Sequence, residues 1–160
     1  MLILENDVFK DWNIEIFACD ISQRVLQSAR RGIYPNSSLR VINPYYLSKY
    51  FHKEEQGFRI DDRVKKKVTF LHLNLFDSDK MGLIHGLDVI FCRNVIIYFD
   101  HEAKKKIITT FFQKLNRGGF LMLGHSESLI NLSTAFSLRH FRHDMVYQKH
   151  GDVYAVEKYR

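Results

Sequence analysis

The stretch Asp88–Asp100, "DVIFCRNVIIYFD", contains two apolar runs that are separated by two polar residues. The first run, 89–92, is almost entirely apolar and rich in β-forming side chains, which is typical of a parallel strand covered on both faces. Arg93 and Asn94 follow it directly. Because ligands of open α/β sheets bind outside the carboxyl ends of the strands, this pair predicts a binding site there.

Strands and helices alternate on both sides of this stretch, which predicts a parallel α/β sheet. Four apolar runs are predicted strands: 14–19, 68–73, 87–92 and 120–123. Ser22 is the predicted N-cap of a helix that Gly32 ends. Asp100 caps a longer helix that Gly118 and Gly119 end, and its predicted core face contains Ala103, Ile107, Ile108, Phe111, Phe112 and Leu115.

Two segments do not fit the alternation. Residues 40–67 are predicted to form a small insertion, with a short helix begun by Asn43 and Pro44 and a turn at 55–57 before a short strand. At the other end, Gly151-Asp152 predicts a two-residue turn. The runs 145–150 and 153–159 around it would form a closing antiparallel hairpin.

Composition limits the class of protein. The 160 residues suffice for one domain, and 46% hydrophobic with 26% charged residues is typical of a globular chain. The sequence has no run long enough for a membrane span and no signal-peptide pattern, and Cys19 and Cys92 are predicted to be buried, reduced thiols. We therefore expect a cytoplasmic protein without membrane insertion.

The formal net charge of +6 suits nucleic acid, an anionic membrane or an acidic protein as a partner. The lysine runs 65–67 and 104–106 are interpreted as solvated faces, because no nucleic-acid motif or zinc-ligand spacing accompanies them. We expect neither nucleic-acid binding nor a metal site.

Polar residues end three of the predicted strands: Asp20, Asn74 and the Arg93-Asn94 pair. A carboxylate at a strand end commonly accepts hydrogen bonds from ribose hydroxyls, and an asparagine amide pairs with an adenine edge. Each residue alone is weak evidence, since an aspartate after a strand is more often a turn or cap residue. Together they predict a nucleoside-containing cofactor.

The segments "IFACDIS", "ARRGIYP", "NLFD", "DVIFCRNVIIYFD" and "GGFLMLGHSESL" resemble those of CheR-type chemotaxis receptor methyltransferases, in order and spacing. The resemblance implies a Rossmann-like, S-adenosylmethionine-dependent methyltransferase sheet and methyl transfer to glutamate side chains of chemoreceptors. It implies as well that the insertion 40–67 is a small inserted β-subdomain. It also implies that Asp20 holds the ribose, that Asn74 and Leu75 line the adenine site, and that Arg93 and Asn94 contact the cofactor. Tyr98 would lie near the transferred methyl group; the alternative is a core tyrosine.

The sequence departs from this family at its N-terminal end, where the glycine-rich turn after the first core strand and the N-terminal helical domain are not found. We therefore expect a single, partial catalytic domain over residues 1–160, truncated at its first strand. An alternative is an inactive remnant that only binds a partner protein. The single glycine of the 52–62 loop, Gly57, further predicts that the chain does not dock a receptor tail peptide.

A more remote alternative is a serine hydrolase. "GHSES" resembles the G-x-S-x-G turn around a nucleophilic serine, and Asp144 and His150 follow Ser126 in the order of a catalytic triad. However, Ser128 replaces the final glycine of that turn.

Overall fold

The computed structural model describes residues 1–142 and 144–150. The chain divides into two compact units, Met1–Asn74 and a second that begins at Leu75. The mixture of parallel and antiparallel strands with helices between them confirms the α/β class. The single-domain expectation stays a prediction. None of the helices in the described ranges is long and apolar enough to cross a membrane.

The first unit contains a parallel pair of strands, β1 (Ile16–Asp20) and β5 (Val68–His72), in which Asp20 is the partner of His72. Helix α1 (Gln23–Arg31) joins β1 to the rest of this unit. Its predicted caps are confirmed, because Ser22 Oγ accepts the Val25 N–H (3.3 Å) and Gly32 adopts a left-handed φ of 68°. Leu26 is buried and Val25 is exposed, so the apolar face of α1 is narrow.

A three-stranded antiparallel sheet completes the first unit, in the order β2 (Ile33–Tyr34), β4 (Gly57–Ile60), β3 (Phe51–Glu54). Helix α2 (Pro44–Tyr50) precedes β3 and is capped by Asn43 as predicted, and α3 (Asp62–Lys65) precedes β5. This sheet packs around Leu39, Tyr50 and Phe51. Because β2 lies before residue 40, the sheet extends beyond the predicted insertion.

The second unit contains a four-stranded sheet in the order β6 (Leu87–Cys92), β7 (Leu115–Leu123), β9 (Met145–Lys149), β8 (Phe136–His140). Strands β6 and β7 are parallel, and the others pair antiparallel. Helix α4 (Ser78–Gly82) precedes β6, and α5 (His101–Lys114) connects β6 to β7. The core of this unit includes Ile107, Ile108 and Phe111, which confirms the predicted face of α5.

Helix α5 ends four residues earlier than the glycine pair predicted. The chain turns extended at Leu115, whose side chain is buried. Lys149 Nζ donates to the carbonyl oxygens of Phe112 and Leu115, both at 2.7 Å, and so satisfies helix-end acceptors. Gly118, with a φ of 75°, lies inside β7 instead.

Three other expectations need correction or lie outside the described residues. Strand β6 is not covered on both faces, because Phe91 is 72% exposed while Cys92 on the opposite face is buried. Among the described residues, β6 pairs with β7 alone. Cys19 is exposed rather than buried, although both thiols are free. Strand β9 is confirmed, but its partner is β8, and the run 153–159 lies outside the described residues.

Candidate functional site

The loop that leaves β6 carries the polar pair of the opening stretch. Arg93 and Asn94 are both exposed, and Asn94 adopts the left-handed region with a φ of 58°. A short 3-10 helix, Ile96–Tyr98, follows, and Asp100 caps α5 by accepting the Ala103 N–H (2.8 Å). The strand therefore ends in an exposed polar loop, as the sequence predicted.

The carboxylate of Glu127 holds this loop through the backbone. Its Oε2 accepts the N–H groups of Asn94 (2.8 Å) and Gly124 (2.7 Å). Its Oε1 accepts those of Val95 and Ile96, both at 2.9 Å, and of Ile97 at 3.3 Å. Because Glu127 follows β7, the carboxylate ties the loop after β6 to the loop after β7.

Glu127 is only 8% exposed. Burial opposes ionisation of its carboxyl, but the hydrogen bonds from the backbone N–H groups of Gly124, Asn94, Val95 and Ile97 outweigh burial and lower its pKa. Nearby, burial and then the Glu127 charge raise the pKa of Cys92 to about 12. The carboxylate is thus ionised and the neighbouring thiol is protonated at neutral pH.

A glycine is required at position 124 because the loop after β6 and the Glu127 carboxylate lie very close to it. A Cβ atom at this position would lie 2.5 Å from Asn94 Oδ1 and 2.9 Å from Glu127 Oε2. The exposed Asn94 amide can move aside, but Glu127 Oε2 and the Asn94 backbone N, which would lie 3.0 Å from this Cβ, cannot retreat without breaking the hydrogen bonds that order the loop. A residue with a side chain is therefore incompatible with the observed loop.

Tyr98 and Leu75 belong to the same unit as this loop. Tyr98 is 81% exposed, so the interpretation as a core tyrosine is wrong. Leu75 is partly buried against the apolar core of the unit. Its side chain therefore has a packing role, whatever its backbone contacts.

The first unit contains the other two predicted residues, at the carboxyl ends of its parallel pair. Asp20 is the last residue of β1, and Asn74 follows β5 on the neighbouring strand. Asp20 Oδ1 accepts the Ser22 N–H (2.7 Å), so the turn role that the sequence suggested is present. Asp20 Oδ2 makes no hydrogen bond to any residue in the described ranges, which leaves an acceptor for a ligand hydroxyl.

The structure therefore brings the predicted residues together in two groups, Asp20 with Asn74 and Arg93 with Asn94 and Tyr98. Sequence reasoning missed Glu127 and Gly124. Both lie in the quoted "GHSES" stretch, where a glutamate in a loop directly after an apolar strand was the available signal.

The residues of the hydrolase alternative are not arranged around Ser126 in the described part of the chain. His150 Nδ1 lies 3.2 Å from Ser137 Oγ, and Asp144 Oδ1 accepts the Met145 N–H (2.9 Å). These contacts lend the hydrolase no support. It stays a prediction that labelling of Ser126 by a fluorophosphonate probe tests.

Residues 1–145 match the family described as CheR methyltransferase, SAM binding domain. The chain is 37% identical over 138 residues to chemotaxis protein methyltransferase 2 of Vibrio cholerae serotype O1, covering 86% of this chain and 48% of that protein. It is 40% identical over 122 residues to the chemotaxis protein methyltransferase of Borreliella burgdorferi, covering 74% and 42%. The chain thus spans about half the length of these curated relatives.

Among solved structures, a possible exported protein of Bordetella parapertussis is similar, with a TM-score of 0.50 and 11% sequence identity. The match covers 86% of this chain and 54% of that one. At this identity the likeness concerns the fold alone.

Proposed function

Because the chain belongs to the CheR methyltransferase family through its S-adenosylmethionine-binding domain, we propose that it acts in chemoreceptor adaptation. In this proposal it is the catalytic part of an enzyme that transfers a methyl group to glutamate side chains of methyl-accepting receptors. The observation that carries the proposal is the exposed Arg93-Asn94 loop at the carboxyl end of β6, inside the stretch that matches the family.

The side chains of each unit, taken by itself, fit this cofactor. Asp20 retains an acceptor oxygen suited to a ribose hydroxyl, and Asn74 lies at the same end of the parallel pair. In the second unit, the exposed side chains of Arg93 and Asn94 offer donors and an acceptor. These residues, together with Leu75, are those we expect to hold the cofactor.

The chemistry requires orientation more than acid–base catalysis. When bound, the cofactor supplies a methyl group on a positively charged sulfur. A receptor glutamate, with an ordinary pKa of about 4.3, is already a carboxylate at neutral pH and needs no base. The residues of the chain would need only to align a carboxylate oxygen with that methyl carbon, so that an oxygen–carbon bond would form as the carbon–sulfur bond breaks, giving a methyl ester and a neutral thioether.

The residues of the chain would therefore position the reactants and exclude water. Correct orientation can lower a barrier by about 7–11 kcal/mol at best. Tyr98, with its exposed ring on the 93–98 loop, is the side chain we expect nearest to the reacting carboxylate. The net charge of +6 suits an acidic receptor surface in the cytoplasm, and we expect no nucleic-acid partner.

The first experiment is calorimetric titration of the chain with S-adenosylmethionine, with Asn94→Ala as the matched variant. We expect saturable binding that the substitution weakens. The second incubates the chain with methyl-labelled cofactor and a receptor cytoplasmic domain, then measures label released as methanol by mild alkali. A receptor whose methylatable glutamates are replaced by alanine is the control.

The two measurements separate the alternatives. Binding with alkali-labile transfer supports the enzyme. Failure to bind the cofactor, with retained binding to the receptor domain, would instead favour a protein-binding remnant. If the chain binds neither, the proposed function is wrong for this chain.

A further inference from the structure

We propose that Glu127 is a positioning residue that holds the 93–98 loop in the conformation that presents Arg93 and Asn94 to the cofactor. This inference rests on the proposed function. In this proposal Glu127 does not contact the cofactor. It promotes cofactor binding because it accepts the backbone N–H groups that hold the loop.

The backbone of the loop requires such support. Asn94 adopts a left-handed conformation, which non-glycine residues populate sparsely unless the surroundings impose it. Four successive N–H groups, those of residues 94–97, point to a single carboxylate. Successive N–H groups converge on one acceptor where the chain turns tightly, as in a backbone nest or the first turn of a helix, and the 3-10 helix Ile96–Tyr98 begins inside this segment. The carboxylate and the loop conformation therefore depend on each other.

Glu127 is also too fully occupied to act on a ligand itself. A carboxylate offers about four lone-pair sites, and this one accepts five N–H groups, including that of Gly124. Its side chain is buried, and the missing Cβ of Gly124 is what lets the two loops approach. The geometry is therefore that of an internal anion site satisfied by the protein's own backbone.

Glu127 can hold the loop because its ionised carboxylate has two acceptor oxygens. An amide of the same size presents one oxygen and one NH₂ group, and the NH₂ would face N–H donors that need an acceptor. Glu127→Gln therefore removes about half of the acceptor capacity with little change in volume. Glu102→Gln is the matched control, because Glu102 is an exposed side chain on α5 in the same unit.

The experiment measures amide hydrogen exchange at residues 94–97 by NMR, and S-adenosylmethionine affinity by calorimetry, for the unmodified chain and both variants. We expect Glu127→Gln to accelerate exchange at these amides at least about tenfold and to weaken cofactor binding at least about tenfold. Glu102→Gln should change neither. Glu127→Asp keeps the charge on a shorter side chain, so its exchange rates and cofactor affinity should lie between those of the unmodified chain and those of Glu127→Gln. It replaces Glu127→Gln in the experiment if that variant does not fold.

Unchanged exchange at residues 94–97 in Glu127→Gln would overturn the inference, because the carboxylate would not be holding the loop. Accelerated exchange with unchanged cofactor affinity would overturn it as well, because the held conformation would not matter for binding. If the unmodified chain does not bind S-adenosylmethionine, the proposed function fails for this chain, and the exchange rates still decide whether Glu127 holds the loop.

Discussion

Two carboxylates at the ends of parallel strands have opposite environments. Glu127, in the loop after β7, is buried and accepts five backbone N–H groups. Asp20, at the end of β1, is half-buried, and the structure shows one hydrogen bond to it, from the Ser22 N–H. A carboxylate whose acceptors are all filled can order a loop, whereas one with an unfilled oxygen can bind a ligand.

The difference teaches how residues at a strand end divide their roles. Sequence patterns point to polar residues at strand ends, but they do not separate those that hold the backbone from those that face a ligand. Burial and the remaining hydrogen-bond capacity make that separation. Substitutions around Glu127 should therefore lower stability and change cofactor affinity only through the loop, whereas substitutions of Asp20 should change cofactor affinity directly.

The largest effect is expected for Gly124→Ala. Its Cβ would lie 2.5 Å from Asn94 Oδ1 and 2.9 Å from Glu127 Oε2, so the loop must move and buried N–H groups lose their acceptor. We expect the free energy of unfolding to fall by about 3 kcal/mol in urea denaturation. The matched control is Gly82→Ala in α4, where a Cβ would meet no atom within 4 Å.

Gly82→Ala should be neutral or stabilising by about 0.5 kcal/mol, because alanine favours helix more than glycine does. Equal effects of the two substitutions would show that the contact between the two loops contributes nothing to stability. The claim that the Glu127 carboxylate orders the backbone would then be wrong.

The second effect concerns affinity. We expect Asp20→Ala to weaken S-adenosylmethionine binding by about 2–3 kcal/mol, the scale of hydrogen bonds to a charged group, as measured by calorimetry. Asp20→Asn separates the two roles of the side chain. Its oxygen can still accept the Ser22 N–H, but the second acceptor becomes a donor.

Asp20→Asn should therefore keep the stability of the unmodified protein while losing most of the affinity. If its affinity is unchanged, Asp20 is a turn residue and does not bind the ribose. If stability and affinity fall together in both variants, the turn at Asp20–Ser22 is the cause.

The sequence was most informative where a local chemical reason fixes the structure. Ser22, Asn43 and Asp100 were predicted as helix caps, and each accepts a backbone N–H at its helix. The bounds of β6 were also predicted correctly, because the run begins after Gly86 and ends at the polar Arg93. These features depend on neighbours within a few residues.

Features set by distant residues could not be predicted. Helix α5 stops where Lys149, 35 positions after Lys114, satisfies its last carbonyls, and β8 pairs with β9 without a recognisable turn signal. Glu127 was missed for the same reason, since its partners at 94–97 lie about 30 residues away. Long-range polar contacts of this kind leave no periodic pattern in the sequence.

A third and smaller effect should distinguish the two cysteines. Burial raises the pKa of both thiols, but for Cys92 the Glu127 charge adds to burial and the pKa reaches about 12. Cys19 is also exposed, whereas Cys92 is 6% exposed. Because the thiolate is the reactive form, iodoacetamide at pH 8 should modify Cys19 at least about tenfold faster in the native protein, as followed by peptide mass spectrometry. Comparable rates at both thiols would mean that the core beneath β6 opens readily.

The last prediction is that a receptor tail peptide does not bind to the β2–β4–β3 sheet. A two-residue turn, Glu55-Gln56, joins β3 to β4, and Gly57 approaches so closely that a Cβ would lie 2.3 Å from the Tyr34 carbonyl oxygen. Gly57 is thus committed to the sheet, and little backbone remains to enclose an added strand. Substitution of Gly57 would disturb the sheet and is not a clean test.

The appropriate test is a titration of the chain with a receptor tail pentapeptide and with a scrambled pentapeptide of the same composition. We expect no saturable binding of either peptide up to millimolar concentration. The informative variant is Lys53→Pro in the edge strand β3, where the exposed residue tolerates proline but loses a backbone N–H. Micromolar binding that is specific for the tail sequence and lost in Lys53→Pro would show that β3 accepts the peptide as an added strand, despite the tight turn beside it.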